Sequence, residues 1–200
     1  MNYKITFKLA SPLITYEPIL FDALLLYAQI REEQGIVKQA LSIDEVIELN
    51  DGLLVKDVSG VWRSSIMLSN TDPLLSIANF TKHFDTKHID LIANRKLSID
   101  TQRGTYKSYN LPYETKQYYE VYFIIDTNNI DKVVYLIEKH IYNLGKKRHR
   151  GYGEIRNIEV TETSEKILRP IPDKNGDIYL PAIPPYWRNS DLVLQKITTI

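Results

Sequence analysis

The chain has 200 residues, 44% of them hydrophobic, with no cysteine and with 25 basic residues balanced by 25 acidic ones. That length suits one domain with appendages, and the apolar share supports a sizeable core. The missing cysteine excludes disulfides, zinc–thiolate sites and thiol nucleophiles and fits a cytoplasmic protein. Net neutrality argues against a general polyanion coat protein, which is basic overall.

No apolar run reaches the roughly 20 residues of a membrane-spanning helix, and the 19–30 segment is broken by Asp22. The chain starts in a strand pattern with no secretory signal, so no membrane partner is expected. The charge is nevertheless unevenly spread. Residues 1–94 carry 8 Lys and Arg against 12 Asp and Glu, a net of −4, residues 95–150 carry 11 against 6, a net of +5, and residues 151–200 carry 6 against 7, a net of −1. One basic face is expected.

Residues 2–10 alternate, with Tyr3, Ile5, Phe7 and Leu9 on one side, the mark of a half-buried strand. After Pro12 and Pro18, the helical spacing of Ile19, Leu20, Ala23, Leu24, Tyr27 and Ala28 predicts a helix over 18–33, with Asp22 early in it and a solvated end at Arg31, Glu32 and Glu33. Ser42 and Glu45 can form a capping box for a short helix over 42–49. Leu53 to Val55 and Val61 to Leu68 read as a strand pair, with Trp62 as a core residue rather than a base-stacking one. Lys82 to Asp90 contains His83, Asp85, His88 and Asp90, but their spacing matches no common ligand motif. That segment is read as a polar loop, and neither a metal nor another cofactor is expected.

Residues 95–118 interleave Arg95, Lys96, Arg103 and Lys107 with Tyr106, Tyr109, Tyr113 and Tyr118, and Gly104 marks a hairpin tip. Cations among aromatics suit RNA, the cations taking phosphates and the rings stacking on bases; an ordinary exposed hairpin is the alternative. Tyr119 to Asp126 is a strong strand. Ile130, Val133, Val134, Ile137, Ile141 and Leu144 then form the clearest helical stripe, with Thr127 or Asn128 as cap and Gly145 as terminator. His140 sits on its flank as a surface residue. Glu154 to Thr161 resumes as a strand with a bulge, since Ile155 and Ile158 break strict alternation. The tail, 164–200, is proline-rich, with Asn175-Gly176 as a hairpin-type turn. It is expected to wrap over the domain, and Tyr186-Trp187 to anchor it or meet a partner.

Between the second helix and the last strand lies Gly145-Lys146-Lys147-Arg148-His149-Arg150-Gly151-Tyr152-Gly153, four fixed cations and a histidine among three glycines. Cations draw phosphate oxygens, glycines let a second chain approach the backbone, and turns rich in free N–H groups cradle anions. A basic helix end would account for Gly145 and Lys146 but not for the whole run. The loop is neither a P-loop nor a dinucleotide fingerprint.

The element order is βαββαβ, giving an α+β, ferredoxin-like (RRM-type) domain over 1–163, with an inserted β-hairpin thumb at about 95–118 and a proline-rich extension over 164–200. With this order the chain resembles the repeat-associated RNA-binding (RAMP) superfamily of CRISPR systems, through the glycine-rich basic loop. Leu9-Ala10-Ser11-Pro12-Leu13, Phe21 to Leu25, Trp62 to Ser65, Gly104 to Tyr109, Arg169 to Pro172 and Pro184 to Trp187 make it most similar to the type IV subunit that binds the five-prime handle of the guide RNA.

The resemblance implies a non-catalytic crRNA-binding subunit of a class 1 effector complex, partnered by guide RNA and backbone subunits and capping their filament, in antiviral defence. Contact with the DNA duplex beside the target is a further implied role. The RNA-contacting residues it implies are Gly145 to Gly153 together with Arg103, Tyr106, Lys107 and Tyr109 in the thumb. Related subunits include metal-independent ribonucleases, whose chemistry needs a histidine with a tyrosine or lysine at the scissile phosphate. The histidines here are His83, His88, His140 and His149, none in the first strand–helix unit. A binder is therefore the main expectation, with a ribonuclease and a purely structural subunit as alternatives.

Overall fold

The computed structural model describes residues 1–34, 48–57, 60–83, 102–103, 107–181 and 192–200. In chain order the elements are β1 (Asn2–Leu9), α1 (Phe21–Gln34), β2 (Leu74–Lys82), β3 (Tyr109–Gln117), β4 (Glu120–Asp126), α2 (Ile130–His140), β5 (Ile155–Glu162), β6 (Leu168–Pro172), β7 (Ile178–Pro181) and β8 (Leu192–Thr199), with one 3-10 turn at Arg148–Arg150. Most of the short helix expected over 42–49 lies outside the described residues, its last two positions, 48 and 49, being non-helical, and most of the Lys82–Asp90 loop lies outside them too.

Alternation does in β1 what its pattern predicts. Ile5 and Phe7 are fully buried, while Lys4, Thr6 and Lys8 line the opposite face. β1 runs between β4 and β5, antiparallel to both, with Ile5 opposite Phe123 and Val160. Beyond β4, residues 63–68 form a broken edge: Leu68 and Tyr122 exchange backbone bonds of 2.8 Å, and Asp126 N donates to Arg63 O at 2.9 Å. The bulge expected in the last strand is present. The partner of Lys8 is Asn157 but that of Leu9 is Ile155, so Arg156 is the extra residue. Phe7, Val121, Phe123 and Ile125 on the sheet pack against Phe21, Leu25 and Leu26 of α1 and Val133, Leu136 and Ile137 of α2. Phe123 touches Phe7 and Phe21 with ring centroids 5.6 and 5.3 Å apart. The result is an α+β architecture of mainly antiparallel sheets and two helices, consistent with the order expected for a ferredoxin-like domain.

Both helices depart from the sequence reading in detail. α1 starts at Phe21 and is buried nearly all round, with Phe21, Leu25, Leu26, Ala28 and Ile30 deepest. Ala23, Leu24 and Tyr27, read as its apolar stripe, are only half-buried. Asp22, early in the helix as expected, is fully buried. The acidic end of α1 is not merely solvated: Glu32 accepts from Tyr135, Lys139 and His140 of α2. α2 is capped by Asn129, whose side chain accepts from Lys132 N, and it ends at His140, before Gly145. The terminator differs because residues 142–144 leave the helix to pair with 153–155: Leu144 N donates to Gly153 O at 2.8 Å and Ile155 N to Tyr142 O at 2.9 Å. Ile141 and Leu144 stay buried as the stripe requires.

The inserted hairpin is built from β2 and β3, paired from Leu74–Gln117 to Lys82–Tyr109. Its first arm lies upstream of the expected 95–118 span, and the expected tip at Gly104 lies outside the described residues. The tail does more than wrap. β8 runs between β6 and β7, so the Asn175-Gly176 turn links two strands that flank a third instead of pairing with each other. Pro170, Pro172 and Pro181 all sit on the outer strands of this sheet, where a missing N–H interrupts no central ladder. The tail sheet is joined to the core by Arg169 of β6, which grips Asp22 of α1 through two bonds of 2.8 and 2.9 Å. Ser64 adds its carbonyl and hydroxyl to the same guanidinium.

Candidate nucleic-acid interface

The basic loop is held to the stretch that follows β1. Lys146 N donates to Ile14 O and Gly153 N to Pro12 O, each at 2.8 Å. Ser11 Oγ donates to Gly151 O at 2.6 Å and accepts from Glu154 N at 2.9 Å. Two glycines are required by this close fit. A Cβ on Gly145, at φ +75, would lie 2.5 Å from Ile14 O, and one on Gly153, at φ +66, would lie 2.0 Å from Leu144 O. Between them the chain makes a tight turn, and Lys147 itself adopts φ 58. A non-glycine in that region costs on the order of 1–2 kcal/mol, strain of the kind that concentrates at functional turns.

The cations of the loop lie over aromatic rings supplied by distant parts of the chain. Lys146 Nζ sits 5.0 Å from the Tyr16 ring and Arg148 Cζ 5.1 Å from Tyr27. Lys147 Nζ lies 4.8 Å from Tyr113, and Arg150 Cζ 5.1 Å from Phe80, both rings belonging to the β2–β3 ribbon. Phe80 also meets Tyr113 at 4.9 Å and Tyr152 at 5.6 Å, which seats the ribbon against the loop. Cation–π contacts at exposed sites are worth about 0.5–1 kcal/mol each. They order the side chains while leaving the charges uncompensated.

Several cations elsewhere are matched by acids. Lys4 pairs with Glu165, Lys8 with Glu159, Arg63 with Asp126, Lys139 with Glu32 and Arg169 with Asp22. Among the described residues no carboxylate pairs with Lys146, Lys147, Arg148 or Arg150. The open face of the central sheet is therefore a neutralised surface, and its Lys8 ammonium is pushed up by its hydrogen bond to Glu159. Asp126 shows the same compensation: burial raises its pKa, and the N-terminal ammonium and Arg63 more than reverse this, leaving it lowered.

The loop and the end of α2 border a cleft of about 750 Å³, lined by Tyr27, His140, Tyr142, Lys146, Arg148 and His149 among others. His140 is not an ordinary surface residue. Its side chain is 12% exposed, and its Nε2 lies 2.6 Å from Glu32 Oε2. Hydrogen bonds from His140, then Lys139, hold the Glu32 carboxyl down at about 2 against the opposing effect of burial.

Of the residues singled out in the sequence, Gly145 to Gly153 form one compact turn, exposed at Lys146 and from Arg148 to Gly151 and buried at Gly153. Tyr109 lies at the start of β3 on the same face as Tyr113, the face that meets the loop. Arg103 and Lys107 are exposed, and Tyr106 lies outside the described residues. Trp62 is buried, with Lys56 Nζ 4.4 Å from its ring, as the core reading requires. Tyr16, Tyr27 and Phe80 carried no local signal, because only folding brings them to the loop. Among the described residues no group of three or more His, Asp and Glu could hold a metal, and no helix is long and apolar enough to cross a membrane.

No curated protein matches the chain. The family described as CRISPR type IV associated protein Csf3 matches residues 2–198, which takes in the central sheet, the β2–β3 ribbon, the basic loop and the tail sheet alike. A match of that extent settles the resemblance seen in the sequence: this chain belongs to the Csf3 family of CRISPR type IV associated proteins.

Proposed function

We propose that the chain is the guide-RNA-binding subunit of a type IV effector complex in the cytoplasm, a ferredoxin-like RAMP protein that holds the five-prime handle of the crRNA and caps the filament of backbone subunits. One observation carries the reading. Four cations gathered within the 145–153 loop, Lys146, Lys147, Arg148 and Arg150, all lie over aromatic rings, and among the described residues no acid pairs with them. A phosphodiester backbone is the polyanion such a turn can clasp. The β2–β3 ribbon, seated on the loop through Phe80 and Tyr113, acts as the thumb over the same strand. Family membership supports the choice of RNA partner and of a multisubunit assembly. The subunit binds without cutting.

The test is titration of the full chain with single-stranded repeat RNA at several salt concentrations. Each phosphate contact contributes about 0.7 to the log–log salt slope on single strands. Arg148→Ala with Arg150→Ala should therefore weaken binding and flatten the slope by about 1.4. An unchanged slope overturns the reading. Metal-free cleavage of the RNA in the same tubes would replace it with a ribonuclease, and complex assembly without RNA and unaffected by the loop substitutions would replace it with a structural subunit.

A further inference from the structure

The loop accounts for phosphates, but the cleft beside it has a composition that phosphates alone do not call for. Its walls carry Tyr27 and Tyr142 together with Lys146 and Arg148, and its volume of about 750 Å³ lies in the range of pockets that enclose small organic ligands. Tyr142 is 66% exposed, and its hydroxyl is anchored by donation to Lys139 O at 2.6 Å, so the ring has a defined place yet an open face. Tyr27 is half-buried, with the Arg148 guanidinium carbon 5.1 Å from its ring centroid. His140, positioned by Glu32, forms part of the wall near the end of α2, and His149 comes from the loop. Flat aromatic and guanidinium surfaces next to cations are what an unstacked nucleobase and its phosphate require.

We infer that this cleft receives an unpaired nucleotide of the RNA strand gripped by the loop, its base against Tyr142 and the Tyr27–Arg148 pair and its phosphate on Lys146. The inference rests on the RNA-binding reading and adds to it a base-dependent contact, where the loop alone is indifferent to sequence. It also gives the strand a register, because one nucleotide must leave the stack at a fixed distance from the loop.

The test uses the full chain and single-stranded repeat RNA carrying 2-aminopurine at one position at a time. One position, or two adjacent ones, should be quenched on binding, and Tyr142→Ala should release the quench. Tyr142→Ala should also weaken intact RNA about fivefold or more, the usual loss of one base–aromatic stack. It should leave RNA that is abasic at the quenched position, and the salt slope, unchanged. Tyr27→Leu, at a half-buried site, is checked by its melting curve and should repeat the result. The inference is overturned if no position is quenched, or if Tyr142→Ala weakens intact and abasic RNA equally. It is also overturned if adenosine monophosphate alone binds with the same tyrosine dependence while the RNA shows none, since the occupant is then a free nucleotide. The underlying RNA-binding reading fails separately, through an unchanged salt slope in the Arg148→Ala, Arg150→Ala protein.

Discussion

Replacing Arg169 tests how the tail sheet is tied to the core. Its side chain is 1% exposed and that of Asp22 0%. The guanidinium gives two bonds to the carboxylate, at 2.9 and 2.8 Å, and two more to Ser64 O and Oγ, at 3.1 and 3.0 Å. Taking both charges out of water is costly, and the pair is tolerable because this geometry is bidentate and further bonded. Arg169→Met leaves a buried carboxylate without its cation, which costs about 3–5 kcal/mol out of a typical total of about 5–15 kcal/mol. For a chain of this size each kcal/mol lowers Tm by about 2–4 °C, so Tm should fall by about 6–20 °C. Asp22→Leu alone should be comparably damaging. The double variant should recover most of the loss, because an apolar pair of similar volume replaces the ion pair without a desolvation cost. Thermal and urea melts of all four proteins give the coupling energy directly. Single losses below about 1 kcal/mol that simply add would be the behaviour of an exposed pair, and would refute the account.

The loop glycines should separate by position. Gly153→Ala, where the new Cβ meets backbone at 2.0 Å, should disrupt the turn and abolish RNA binding, while Gly151→Ala, with nothing within 4 Å, should cost only about 1–2 kcal/mol of backbone strain; melts and RNA titration distinguish them. Ser11→Ala removes one bond to Gly151 O and one from Glu154 N, so it should cost about 1–2 kcal/mol and speed hydrogen exchange at Glu154. Lys4→Ala with Lys8→Ala, on the neutralised sheet face, should leave the RNA salt slope unchanged. Glu32 has a folded pKa held down at about 2 from an ordinary 4.5, so its contribution is fully present above pH 4.5 and lost as pH falls toward 2. The stability gap between wild type and Glu32→Gln in urea melts should close over that window, and a gap constant with pH would contradict the assigned network.

The alternation of β1 and the stripe of α2 were legible in the sequence because a single buried face imposes period 2 on a strand and 3.6 on a helix. The basic loop was legible because glycines and cations cluster there within nine residues. The first arm of the ribbon was not. Leu74, Leu75 and Ile77 of β2 are exposed, so no buried face imposes an alternation, and its partner strand carries Pro112. The tail sheet was masked by its prolines, which suit outer strands but read locally as wrapping chain.

Local chemistry thus determined which residues could clasp an anion and which segments had one face to bury. Only the tertiary structure decided what stands around them: the seating of Tyr16, Tyr27, Phe80 and Tyr113 beneath the loop cations, and the burial of Asp22 against Arg169, 147 residues away. The physical reason is that charge pairing and ring contact depend on distance in space, and no pattern along one stretch of chain records which acids a fold will bring to its cations and which it will withhold.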